Sequence, residues 1–143
     1  MFKKCLLILL LLLNFTLSAG ENPKTKVTIK IQGLKNNIGT VKVALCNSLE
    51  NYKDHKAPFI GLNLPISNNQ AEITLSDLPA GYYAVKAFHD VNNNNDLDTN
   101  ILGIPVEDYG FSNNASGIFG PPSWNKAKLM IQDGYPLIII NMN

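Results

Sequence analysis

The chain has 143 residues with 12 Lys, no Arg and 11 acidic side chains. A near-neutral chain without Arg excludes nucleic acid as partner, because phosphate and base-edge recognition lean on the bidentate guanidinium and on a basic surface. Of its 2 cysteines, Cys5 falls in the apolar leader and Cys46 stands alone, so no intramolecular disulfide is expected, and Cys46 reads as an inert, small, buried residue.

Lys3 and Lys4 precede an unbroken apolar run, Cys5 to Leu13, followed by Asn14 to Leu17 and then the small residues Ser18, Ala19 and Gly20. That order is a secretory signal peptide, and the run is too short to span a bilayer as a helix. The expected division is therefore a leader over residues 1–20 and one domain over residues 21–143, 123 residues (143 minus 20), with a periplasmic or extracellular destination.

From Lys24 the pattern has period two. Val27, Ile29 and Ile31 alternate with Lys26, Thr28 and Lys30, and Val41, Val43 and Leu45 alternate within Thr40 to Cys46, predicting two half-buried strands joined as a hairpin through Gly33 to Gly39. Asn47 to Ala57 fits either a helical turn or a loop. Ile60, Leu62, Leu64 and Ile66 alternate next, with Pro65 marking an edge strand, and Asn68-Asn69 suits the tight turn before Ala71, Ile73 and Leu75. After a turn at Asp77 to Gly81, Tyr82 to His89 is apolar on both faces, as a central strand is.

That strand runs into Asp90 to Asn100, where eight of eleven residues are Asp or Asn. Asp90, Asn92, Asn94, Asp96 and Asp98 occupy positions 1, 3, 5, 7 and 9 of the calcium loop, in which every second side chain turns inward to offer oxygen to a hard cation. Two positions depart from it: Asn95 stands where Gly is usual, and Ile101 where a bidentate Glu closes the shell, leaving Glu107 or Asp108 to close it. The alternative is a metal-free ladder of Asx-turns. Calcium is the candidate cofactor.

Ile101 to Asn125 has little periodicity but holds Gly103, Gly110, Gly117 and Gly120, three prolines and four aromatics, so it reads as a long ordered excursion. Ala127 to Gln132 and Tyr135 to Met142 then predict a closing hairpin around Asp133-Gly134. The expected fold is all-β: a single Ig-like or transthyretin-like β-sandwich of about seven antiparallel strands with one long loop excursion.

Several blocks also carry a resemblance: Leu78-Pro79-Ala80-Gly81-Tyr82-Tyr83-Ala84; Phe88-His89-Asp90 with Asn92, Asn94, Leu97, Asp98 and Asn100; Gly103-Ile104-Pro105 and Glu107; Tyr109-Gly110-Phe111-Ser112-Asn113; and Gly120-Pro121-Pro122. Together they resemble a bacterial exported family, domain-of-unknown-function family 2141. The family pattern carries Gly at the positions of Asn93 and Asn95. The resemblance implies an exported β-sandwich with a polar loop and no particular activity.

Catalytic templates fit poorly. Ser112 lacks the glycine spacing of a nucleophile elbow, although Ser112, His89 and a nearby acid are the residues a triad would use. Asp96, Glu107 and Asp108 could supply a carboxylate pair for glycan hydrolysis, the runner-up reading. The favoured reading is a binding module for an envelope glycan or peptide. Its candidate contacts are the faces of Tyr109, Phe111, Phe119 and Trp124 with the amides of Asn113 and Asn114, unless these aromatics seal the end of the sandwich. A structural partner pairing along the Ile60 to Ile66 edge is the third class. Mass spectrometry of protein recovered from the host envelope is expected to show a mature N-terminus near Glu21, and an intact Met1 there refutes the leader.

Overall fold

A computed structural model describes residues 24–134 and 136–143, so the expected leader lies outside the described residues. Two sheets face each other. The smaller has the order β4-β1-β8, built from β1 (Lys24–Gln32), β4 (Gln70–Pro79) and β8 (Leu137–Asn141). The larger has the order β3-β2-β5-β6, built from β2 (Thr40–Cys46), β3 (Ile60–Leu64), β5 (Gly81–Asp90) and β6 (Tyr109–Phe111), with β7 (Leu129–Ile131) also paired to β5. Two short helices, α1 (Leu49–Lys53) and α2 (Trp124–Ala127), complete it.

The period-two residues build the core. Val27, Ile29 and Ile31 of β1 meet Val41, Val43 and Leu45 of β2, Tyr83 and Val85 of β5, and Ile138 and Ile140 of β8, all buried. Burial of each large aliphatic side chain stabilises the sandwich by ~2 kcal/mol. β3 is an edge strand, as Pro65 predicts.

Three connections differ from expectation. β1 and β2 do not pair as a hairpin but lie in opposite sheets, because Gly33 to Gly39 is long enough to cross between layers about 10 Å apart. Asn68 and Asn69 do form a tight left-handed turn (φ 52° and 57°) closed by the Ser67–Gln70 bridge, yet the chain then parts into β3 of one sheet and β4 of the other. The closing hairpin is absent too. β7 extends the free edge of β5 at Gly81 to Tyr83, whereas β8 runs parallel to β1, so eight strands are described, with one parallel pair, where about seven antiparallel strands were expected. Here β1 captures the chain: the Thr28 amide donates to the Pro136 carbonyl at 3.0 Å and the Thr25 hydroxyl to that of Gly134 at 2.6 Å.

β4 carries one extra residue opposite β1, between the Thr25–Leu78 and Val27–Leu75 pairs, and Asp77 takes up the left-handed conformation (φ 62°) there. The undecided Asn47 to Ala57 stretch holds α1, started by a capping box in which the Ser48 hydroxyl accepts from the Asn51 amide at 3.2 Å while the Asn51 side chain accepts from Ser48 N–H. β6 lies within the aperiodic excursion and α2 straddles its end, taking Ala127 from the expected strand, because three and four residues are too few to show a period.

β6 passes directly over β8. A Cβ on Gly110 would stand 2.6 Å from Ile140 Cγ2 and 3.0 Å from the Asn141 carbonyl. Gly110→Ala is therefore expected to destabilise the fold by about 1–3 kcal/mol through overpacking, read as a lower midpoint in chemical denaturation.

Candidate functional site

Asp90 ends β5 on the outer face of the larger sheet, opposite Thr40, and is completely buried because its own loop folds back over it. One carboxylate oxygen accepts the Asn94 amide at 3.1 Å and the other the Asn95 amide at 3.0 Å, while Lys42 Nζ lies 3.6 Å away. Asn92 Oδ1 accepts from Asn94 N–H and Asn94 Oδ1 from Asp96 N–H, so successive Asx-turns coil the chain. Asn93 and Asn95 sit at φ 57° and 70°, the left-handed geometry for which Asn substitutes for Gly. Gly39 has no such substitute: at φ +75° its Cβ would lie 2.1 Å from the Asp90 carbonyl oxygen.

Glu107 closes the loop from outside. Its two oxygens accept the amides of Val91 at 2.9 Å and Asp98 at 3.0 Å. It gets there because residues 98–106 form a small hairpin: Val106 N–H donates to the Asp98 carbonyl at 2.9 Å and the Asn100 side chain accepts from Leu102 and Ile104. Ile101, in the place of the closing Glu, is fully exposed at the tip. Asp108 turns away to an ion pair with Lys35.

Asp98 receives the side-chain amides of Asn92 and Asn94 at 2.6 and 2.8 Å. The loop is thus closed by its own donors, and among the described residues no three His, Cys, Asp or Glu side chains converge as a metal set. Of the residues expected to ligate a cation, Asp90, Asn92, Asn94, Asp98 and Glu107 are tied into these hydrogen bonds, while Asp96 is exposed and lines the neighbouring groove. A cation beside Asp98 would require both amides to turn their oxygens inward, giving up the Asx-turns for metal ligation.

Beside this loop, the outer face of the larger sheet forms an open groove of about 1560 Å³. Strand register lays out its floor: Lys42, Phe88 and Tyr109 stand in one cross-strand row, and Ala44, Lys86 and Phe111 in the next. Tyr52 of α1 and Trp124 of α2 close one end, their rings edge-on at 5.7 Å, and the Tyr52 hydroxyl donates to the Pro122 carbonyl at 2.8 Å. Leu102 and Ile104 of the 98–106 hairpin form one rim, with Ile118 and Phe119 on another lining loop. All four are exposed, Phe119 completely.

Of the sequence-derived contacts, Tyr109, Phe111, Phe119 and Trp124 all line this groove. Tyr109 and Phe111 meet edge-on at 6.1 Å. Asn113 and Asn114 instead hold the backbone: Asn113 Nδ2 donates to the carbonyls of Lys126, Ala127 and Lys128, and Asn114 Oδ1 accepts the Asn141 amide at 2.9 Å. Ser112 is equally committed. Its buried hydroxyl accepts from the Val85 amide at 2.8 Å and donates to the Ala127 carbonyl at 2.6 Å. His89, also buried, faces the Ile38 carbonyl through Nε2 at 2.6 Å, so that nitrogen carries the proton.

Sequence reasoning missed Lys86, Phe88 and Tyr52. Lys86 was the findable one, a single charge inside a strand apolar on both faces. It is half-buried, donates to the Tyr52 carbonyl at 2.7 Å, and lies 5.3 Å from the centre of the Tyr52 ring. Burial lowers its pKa from the usual lysine value, against smaller opposite pulls from Cys46 and Asp54. Burial raises the pKa of Cys46, whose thiol donates to the Asn51 carbonyl at 3.5 Å, and pushes the Tyr52 phenol up to about 12, with Cys46 adding a smaller push.

The model of a bacterial family described as "uncharacterized protein conserved in bacteria", DUF2141, matches residues 29–137, from within β1 to the start of β8. The chain belongs to the DUF2141 family. The matched span contains the whole Asp90 loop and every residue lining the groove, so in this DUF2141 chain both features belong to the family's region. No match is found among curated proteins.

Two measurements follow from this geometry. Asp90→Ala strands two amides and Lys42, and is expected to cost about 3 kcal/mol in denaturant unfolding. Ultraviolet titration should show a tyrosinate step near pH 12 that Tyr52→Phe removes. Because the folded-state pKa lies above the unfolded value of 10.0, the folded state holds its proton longer, so this contribution to stability is complete below pH 10 and is lost as the pH rises to about 12.

Proposed function

We propose that this DUF2141 chain is an exported, non-enzymatic binding module that holds an envelope glycan or peptide in the groove on the outer face of its larger sheet, with calcium tightening the adjoining loop. The observation that carries the reading is the pairing of a fixed aromatic floor, Phe88, Tyr109 and Phe111, with exposed apolar rims on two loops. Apolar side chains this exposed and this concentrated are characteristic of interaction sites. The leader-like order of residues 1–20 supports export. Supporting calcium is the position-by-position spacing of Asp90, Asn92, Asn94, Asp96 and Asp98, with Glu107 reaching the same loop. Among the described residues no helix is long and apolar enough to cross a membrane.

The competing reading, a partner chain added to the β3 edge, is separated from the first by where variants act. Phe119→Ser and Leu102→Ser lie at exposed positions and leave the core untouched. Together they are expected to abolish capture of ligand on a glycan array or from a displayed peptide library, without changing the melting temperature. Capture that survives both, and is lost when Leu62→Pro blocks the β3 edge, moves the site to that edge. For the cation, calcium at ten times its dissociation constant should raise stability by roughly 1.4 kcal/mol, about 5 °C in Tm, and Asp98→Ala should remove the shift. No shift at millimolar calcium refutes the calcium role.

A further inference from the structure

Groove volume, charge and the fate of its polar groups narrow the ligand class. At about 1560 Å³ and open to solvent, the groove exceeds the roughly 300–1,000 Å³ of sites for single small molecules and has room for a stretch of polymer. Asn113 and Asn114 are spent on backbone and do not line the groove, and of the two amides that do, Asn95 already accepts from Lys42. Its charged lining is mostly cationic: Lys42, Lys53 and Lys86 face a single carboxylate, Asp96.

The lysines are not equivalent. Lys42 is occupied, donating to Asn95 Oδ1 at 2.6 Å beside the buried Asp90. Lys86 is held in the floor between Ala44 and Phe111 with one hydrogen bond, to the Tyr52 carbonyl. Among the described residues no carboxylate pairs with it. Two of its three protons are left for a ligand. A half-buried ammonium flanked by aromatic rings attracts an anion more strongly than one in bulk water, because the apolar surroundings screen it less.

We infer that the groove takes an extended peptide segment in which a carboxylate stands beside bulky apolar side chains, Lys86 receiving the carboxylate while Phe88, Tyr109 and the Leu102 and Phe119 rims cover the apolar groups. The inference rests on the groove being the binding site, as proposed above, and adds the chemistry of the occupant.

The test is selection of random decapeptides displayed on phage against the purified protein, with Lys86→Met and Lys86→Arg in parallel. Wild type is expected to enrich sequences with Asp or Glu next to Leu, Ile, Phe or Trp. A labelled selected peptide should lose about tenfold in affinity when its acid is replaced by the amide, and should weaken as salt is raised, both read on wild type and so independent of any variant's folding. Lys86→Met should lose the preference for the acid and Lys86→Arg should keep it. Selected peptides that bind equally well as acid and amide overturn the Lys86 assignment and leave the groove reading standing. Peptides whose binding ignores Leu102→Ser with Phe119→Ser overturn the groove reading itself. Failure to enrich any peptide, or binding confined to phosphatidylglycerol vesicles through the exposed Ile101, Leu102 and Phe119, overturns the peptide as occupant.

Discussion

The antiparallel ladder between β2 and β5 runs unbroken from Thr40–Asp90 to Cys46–Ala84, and both candidate features hang on it. Antiparallel register sets directly opposed side chains on one face. The pairs Val41–His89, Val43–Ala87 and Leu45–Val85 therefore turn inward together, and Lys42–Phe88 and Ala44–Lys86 turn outward together. A slip of one residue would carry the groove floor into the core and the core residues into the groove. The same ladder delivers Asp90 to the start of its loop with Gly39 against it, so the position of the loop is fixed by backbone pairing before any of its side chains contributes.

The sequence was most readable where a single physical demand acts alone. Alternation in β1 and β2 follows from one buried face meeting another, and Asn68-Asn69 and Asn93 follow from the steric cost of left-handed backbone. It was least readable where two demands compete. Asp133-Gly134 suits a hairpin turn, yet the partners that decide its use are Thr25 and Thr28, more than a hundred residues earlier in the chain, and local chemistry carries no trace of them. Asn113 and Asn114 illustrate the same limit at the candidate site. An amide in an aromatic-rich loop suits a ligand and a backbone carbonyl equally, and only the approach of α2 and β8 spends it on the latter. Lys86 escaped notice because its neighbours in sequence are apolar, while the groups that give it meaning, Tyr52 and Phe111, arrive from other elements.

The loop and the groove share a wall. Lys42 is in the floor row with Phe88, and its ammonium reaches Asn95 of the loop and lies near Asp90. Asn95, Asp96, Leu97 and Thr99 belong at once to the coiled polar loop and to the groove lining. A change in how Asp98 is satisfied, by amides or by a cation, would therefore alter the boundary of the groove without any movement of the sheet beneath it.

The parallel pairing of β1 with β8 has a consequence for the order in which the molecule can be made. The first described strand is the middle strand of the smaller sheet, and one of its two neighbours is the last described strand. Gln32 meets Asn141 across a separation of 109 residues. A chain that emerges amino end first must keep β1 half-paired until residues 137–141 follow, and contacts so distant in sequence form slowly because the intervening loop must close before they can stabilise anything. The docking of β8 on β1 is thus the natural last step in completing the smaller sheet.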